Sequence, residues 1–165
     1  MRYKTPAALE MAVKASARNS GIDTSRAITG FYFHRLLCRI FNDPQHNFVL
    51  KGGQSMLART VDARATRDID LLYKEQSLEH ALNKLEALAS TDLDDHMRFV
   101  LQSADPIKVE DEYRSGLRIV FQPMLGPKRL QPISIDLVVD KVPLERAEFI
   151  TPADRVNIEG IQVYD

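Results

Sequence analysis

Asp68-Ile69-Asp70 follows the glycine pair of Lys51-Gly52-Gly53-Gln54-Ser55, and both stretches are rich enough in potential chemistry to be read first. Side chains alternate along a strand, so the two carboxylates share one face while Ile69 points to the other. Like charges at neighbouring same-face positions are unfavourable unless something positive lies between them, and a divalent cation is the usual answer. Carboxylates suit hard ions, Mg2+ or Mn2+. Magnesium is commonly held by one or two carboxylates together with the phosphates of a nucleotide. Gly52 and Gly53 let the chain turn sharply and let a ligand approach where no Cβ stands in the way. A helix leaving that turn offers unpaired N–H groups and the positive end of its dipole to phosphate, and Ser55 adds a hydroxyl donor. Taken singly, a tight turn and two solvated acids describe these features as well. Side by side they point to a metal–nucleotide site.

A third acid interrupts the apolar run Ile133-Ser134-Ile135-Asp136-Leu137-Val138-Val139. An unpaired carboxylate buried there would be costly. Alternation puts Ser134 and Asp136 on one face and Ile135, Leu137 and Val139 on the other, so a central strand could deliver Asp136 to the acids of a neighbour. Three acids could bracket two ions, the arrangement that stabilises the attacking and leaving oxygens of an in-line phosphoryl displacement. Asp136 is then the acid nearest the incoming hydroxyl, as general base or as a ligand of the second metal.

Leu50-Lys51-Gly52-Gly53-x-Ser55, Arg64-x-Thr66-x-Asp68-Ile69-Asp70-Leu71 and Ile135-Asp136-Leu137 together resemble the minimal nucleotidyltransferase superfamily, and within it the AbiEii-type branch of abortive-infection toxins. The resemblance implies a DNA polymerase β-like α+β fold, a mixed sheet flanked by helices. It also implies nucleotidyl transfer from a nucleoside triphosphate with Mg2+ or Mn2+, through Asp68, Asp70 and Asp136 as catalytic and metal-binding residues. Lys51, Gly52, Gly53, Ser55, Arg64 and Thr66 fall to the nucleotide and phosphate side, with Lys51 and Arg64 either near the triphosphate or propping the turn. The partners implied are a nucleoside triphosphate, an RNA acceptor such as tRNA or a protein hydroxyl, and a protein antitoxin. Members of the branch continue into a helical C-terminal region, so the chain reads as a fragment lacking it. A catalytically incomplete binding module of the same fold is the alternative, and a metal-dependent nuclease or phosphohydrolase a weaker one.

Positioning these residues falls to elements that the pattern outlines. Thr5-Pro6 predicts a helix start and Gly21 its end, and a second helix follows Asp23 with Ile28, Phe31, Tyr32, Leu36 and Ile40 on one face. Asn42-Asp43-Pro44 breaks it. Strands are expected at residues 48–50, 68–73, 98–102, 117–122, 133–139 and 158–164, helices at residues 55–61 and from Ser77 along Leu78, Leu82, Leu85 and Leu88, and turns at Gly126-Pro127 and Gln131-Pro132. The whole of 1–165 reads as one nucleotidyltransferase-like core domain, with N-terminal helices at 5–42, the catalytic core at about 46–140, closing strands at 141–165 and a strand-rich C-terminal half.

The remaining composition excludes more than it assigns. With 44% hydrophobic and 27% charged residues among 165, the chain is of ordinary globular make-up, neither disordered nor a rod. Lys and Arg number 22 against 23 Asp and Glu, so overall charge makes no case for nucleic acid or membrane. No apolar run reaches the ~18 residues needed to span a bilayer. The single Cys38 lies in an apolar helical stretch and reads as a buried thiol of a cytoplasmic protein. His34, His46, His80 and His96 lack zinc spacing, and Asp92-Leu93-Asp94-Asp95 lacks the glycine of a calcium loop. Arg114, Arg118, Lys128 and Arg129 read as a solvated strand face, or as a basic rim for RNA.

Overall fold

Thr5 accepts a hydrogen bond from the Ala8 amide at 3.1 Å, and Pro6 fills the first helical position, where its missing N–H costs nothing. This opens α1 (Pro6–Arg18), which ends at Asn19 ahead of Gly21 at φ +76°. The computed structural model describes residues 3–21, 23–45, 47–50, 68–74, 77–107 and 114–140. In α2 (Thr24–Phe41) the Asp23 carboxylate accepts from the Arg26 amide at 3.0 Å, and Ala27, Phe31, Tyr32, Leu36, Leu37, Cys38 and Ile40 are buried. That is the wide apolar face expected of this helix, although Ile28 is only partly buried against the core. Burial pushes the Cys38 thiol above its ordinary pKa, which suits an inert core sulfur. Ser77 caps α3 (Leu78–Ala89) through the His80 amide. There Ala81, Leu85 and Ala89 are fully covered, whereas Leu78, Leu82 and Leu88 pack at the margin of the core.

Six strands form one mixed sheet: β1 (Phe48–Leu50), β2 (Asp68–Tyr73), β3 (Met97–Ile107), β4 (Arg114–Leu125), β5 (Lys128–Arg129) and β6 (Ile133–Asp140). Their order is β1-β2-β6-β4-β3, with β5 paired to the end of β4. β2 and β6 run parallel, and every other pairing is antiparallel. The register of β3 on β4 shifts between Leu101 and Ser103, and both strands are longer than expected. The expected helix at 55–61 and strand at 158–164 lie outside the described residues.

One face of the sheet is packed with Ile69, Leu71 and Tyr73 from β2, Ile133, Ile135, Leu137 and Val139 from β6, and Ile119 and Phe121 from β4, all at most 7% exposed. These join the apolar sides of the three described helices in one cluster. The alternation expected for β6 therefore holds. No described helix is long and apolar enough to cross a membrane.

The acidic loop after α3 is tied down far more firmly than its sequence suggests. Asp95 is fully buried and accepts from Arg39 Nη2 at 2.7 Å, Arg39 Nη1 at 2.9 Å and Arg35 Nε at 2.9 Å. Arg39 also lies over the Phe99 ring, 4.9 Å from its centroid. Burial alone would raise the Asp95 pKa, but the forks from Arg39 and Arg35 hold it below the ordinary carboxylate value. Among the histidines, Nε2 of His96 lies 2.6 Å from the Tyr3 carbonyl and His80 is exposed, while His46 lies outside the described residues.

Candidate functional site

The functional candidates are positioned by the parallel β2–β6 pair. In the β2–β6 register Asp68 stands opposite Ser134, Ile69 opposite Ile135, and Asp70 opposite Asp136. Ile69 and Ile135 go into the core, so Asp70 and Asp136 project from the face that the core cluster leaves open; Asp70 is exposed and Asp136 partly so. Adjacent strands lie about 4.8 Å apart, whereas same-face residues two apart on one strand are separated by about 6.6 Å. The cross-strand pair Asp70–Asp136 is therefore closer in backbone spacing than the Asp68–Asp70 pair first noticed in the sequence. The backbone of Asp68 opens β2 on the same strand as Asp70.

The row continues across the sheet. Asp136 pairs in register with Arg118 on β4, and Arg118 with Asp105 on β3, giving Asp70, Asp136, Arg118 and Asp105 across four successive strands. Arg118 donates from Nε to Oδ1 of Asp136 at 3.0 Å and from Nη2 to Oδ2 at 3.3 Å. The pair is open to water, with the Arg118 side chain 57% exposed and that of Asp136 23%. The positive charge that two neighbouring acids require is thus partly supplied by the protein itself. Sequence reasoning missed this role for Arg118. Alternation along Arg118-Ile119-Val120-Phe121 marks Arg118 as outward-facing, but only the β4–β6 register reveals which acid it meets.

Arg118, Lys128 and Arg129 are exposed, in keeping with a solvated strand face, and among the described residues they do not line up as the continuous basic rim of the alternative reading. Arg118 lies six residues along β4 from Met124, the register partner of Arg129, which separates the two positions by about 20 Å of extended chain. Lys128 is engaged by Glu10 of α1 at 2.6 Å. With Lys14 it holds the Glu10 carboxyl below its ordinary pKa.

Lys51, Gly52, Gly53, Ser55, Arg64 and Thr66 lie outside the described residues. Among the described residues no group of three or more His, Cys, Asp or Glu is gathered that could hold a metal ion. The donors that are gathered, two carboxylates on one open face, match what magnesium takes when substrate phosphates supply other ligands. That donor set is hard and all oxygen, unsuited to soft-ligand metals. Arg118 beside it has the planar fork that recognises carboxylate and phosphate alike.

A family model described as nucleotidyl transferase AbiEii toxin, type IV TA system, matches residues 35–165. Curated proteins give no match. Among solved structures, JHP933 from Helicobacter pylori is similar at 13% identity and a TM-score of 0.46, covering 82% of this chain and 53% of that one. A candidate nucleotidyltransferase from H. pylori is similar at 12% identity and a TM-score of 0.47, covering 79% of this chain and 52% of the other. The chain spans about half the length of these two structures.

Proposed function

The chain belongs to the AbiEii nucleotidyl transferase toxin family, and from that premise we propose that it transfers a nucleotidyl group from a nucleoside triphosphate to an acceptor hydroxyl at the open sheet face bearing Asp70 and Asp136. The observation that carries the reading is the register match of these two acids on parallel neighbours, facing away from the core. Asp70 and Asp136 would hold a divalent cation, with Asp68 as the third carboxylate. Bound there, the cation would draw off charge from the phosphates during an in-line displacement.

The protein's own work is placement. Phosphoryl transfer asks for positioning and electrostatics more than for covalent chemistry. The paired β2–β6 register fixes the spacing of the acids, and the sequence Gly52-Gly53 with Ser55 is assigned to cradle the triphosphate, helped by Lys51, Arg64 and Thr66. The acceptor oxygen attacks the α-phosphorus, its proton leaves through Asp136 or solvent, and pyrophosphate departs. An RNA, such as tRNA, is the acceptor we assign, and a protein antitoxin the partner, in keeping with the family's toxin–antitoxin description.

Asp70→Asn and Asp136→Asn, introduced separately into the full-length gene product, are expected to cut transfer of label from an α-labelled nucleoside triphosphate by about 100-fold or more. Circular dichroism should show both variants folded, since neither residue is fully buried. Undiminished transfer in both would overturn the assignment. Metal-dependent triphosphate binding without turnover would indicate a binding module, and release of orthophosphate a phosphohydrolase.

A further inference from the structure

We propose that Arg118 is a partner-exchanging residue of this site: it neutralises Asp136 in the empty protein and passes to the triphosphate when a divalent cation takes over that carboxylate. The inference rests on the reading of Asp70 and Asp136 as cation ligands. Its own support is the geometry of the four-strand row. Both donors of the Arg118 fork are spent on the two oxygens of Asp136, at 3.0 and 3.3 Å. A dication held by Asp70 and Asp136 would claim the same carboxylate that Arg118 already engages from the next strand. Two positive groups cannot both be well placed there, so cation entry weakens the hold of Asp136 on Arg118.

The released side chain is suited to what arrives next. It is long and 57% exposed, so the guanidinium end of its ion pair with Asp136 already meets water. Its fork binds phosphate oxygens bidentately as readily as carboxylate. It also starts on the same open face as the acids, within one strand of Asp136. The consequence is an ordering device: metal alone competes with Arg118, whereas metal delivered with a polyphosphate gives Arg118 a better place to go.

The two halves predict changes of opposite sign in one variant. In the full-length protein, Arg118→Ala should bind Mn2+ alone about five- to tenfold more tightly by electron paramagnetic resonance titration, because one positive charge near the ion has been removed. The same variant should bind inorganic tripolyphosphate, in saturating Mg2+, several-fold more weakly by calorimetry. Arg118→Lys, which keeps the charge and loses the fork, should fall between wild type and Ala in both assays. Weaker Mn2+ binding by Arg118→Ala would make Arg118 a mere anchor of Asp136, and unchanged tripolyphosphate affinity would remove it from the phosphate site. Either result overturns the exchange while leaving the acid pair in place. If wild type and Arg118→Ala both bind no Mn2+, the reading of the acid pair fails, and the exchange with it.

Discussion

Asp95 is the residue at which this protein commits most to a single charge. Two guanidiniums converge on a carboxylate with no exposure, and removing that carboxylate would leave Arg35 and Arg39 facing each other in the interior. Asp95→Asn is therefore expected to cost about 3–5 kcal/mol, measured by urea denaturation, the range for breaking a buried pair from one side. The pH dependence has a defined sign. Because its pKa is lowered in the folded state, Asp95 contributes fully above the ordinary Asp value of about 4, and that contribution fades as pH falls through the lower folded value. Unfolding below pH 4 should be shallower for Asp95→Asn than for wild type. None of this was legible in Asp92-Leu93-Asp94-Asp95, where three acids look alike, since the partner Arg35 is 60 residues away. Asp70 and Asp136 were legible, because an acid inside an alternating apolar strand announces both its face and its cost.

At the scale of elements, caps and periodicity set the helices closely: Thr5, Asp23 and Ser77 each cap the helix they precede. Strand ends were less visible. The expected strand at residues 98–102 continues to Ile107 past the register shift, through Ser103, Asp105 and Pro106. Polar residues and proline read as a loop in sequence, yet an edge strand tolerates both. The return of Lys128–Arg129 onto β4 was also hidden, since two residues carry no period. The turn that permits it was not. Gly126 has φ +56°, and a Cβ there would lie 2.5 Å from Cγ of Pro6, so this turn meets the first residue of α1 without room for a side chain. Gly21, at φ +76°, faces open space. Gly21→Ala should cost about 1 kcal/mol from backbone strain alone. Gly126→Ala should cost distinctly more, and a thermal melt of the two variants beside wild type reads the difference.

For the molecule as a whole, the change of hydrophobic period separated early helices from later strands, whereas the mixed sheet flanked by helices was implied by the resemblance of the motifs to the nucleotidyltransferase superfamily. What could not be read was strand order, because it depends on pairings between distant segments. The parallel pair joins residues 68–73 to 134–139, with α3, β3, β4 and β5 between them in the chain, whereas β3 and β4 pair with near neighbours. Contacts closing so long a loop form late in folding. Leu137→Ala, at a fully buried position on β6, should therefore accelerate unfolding more than it slows refolding in stopped-flow measurements, alongside a loss of about 2–5 kcal/mol. Asp70 has no Asp136 beside it until the ribosome has synthesised β6 and let it emerge, so the acid pair cannot assemble while the intervening helix and strands are still being made. The wiring of the sheet thus ties the birth of the pair to the arrival of the strand that completes it.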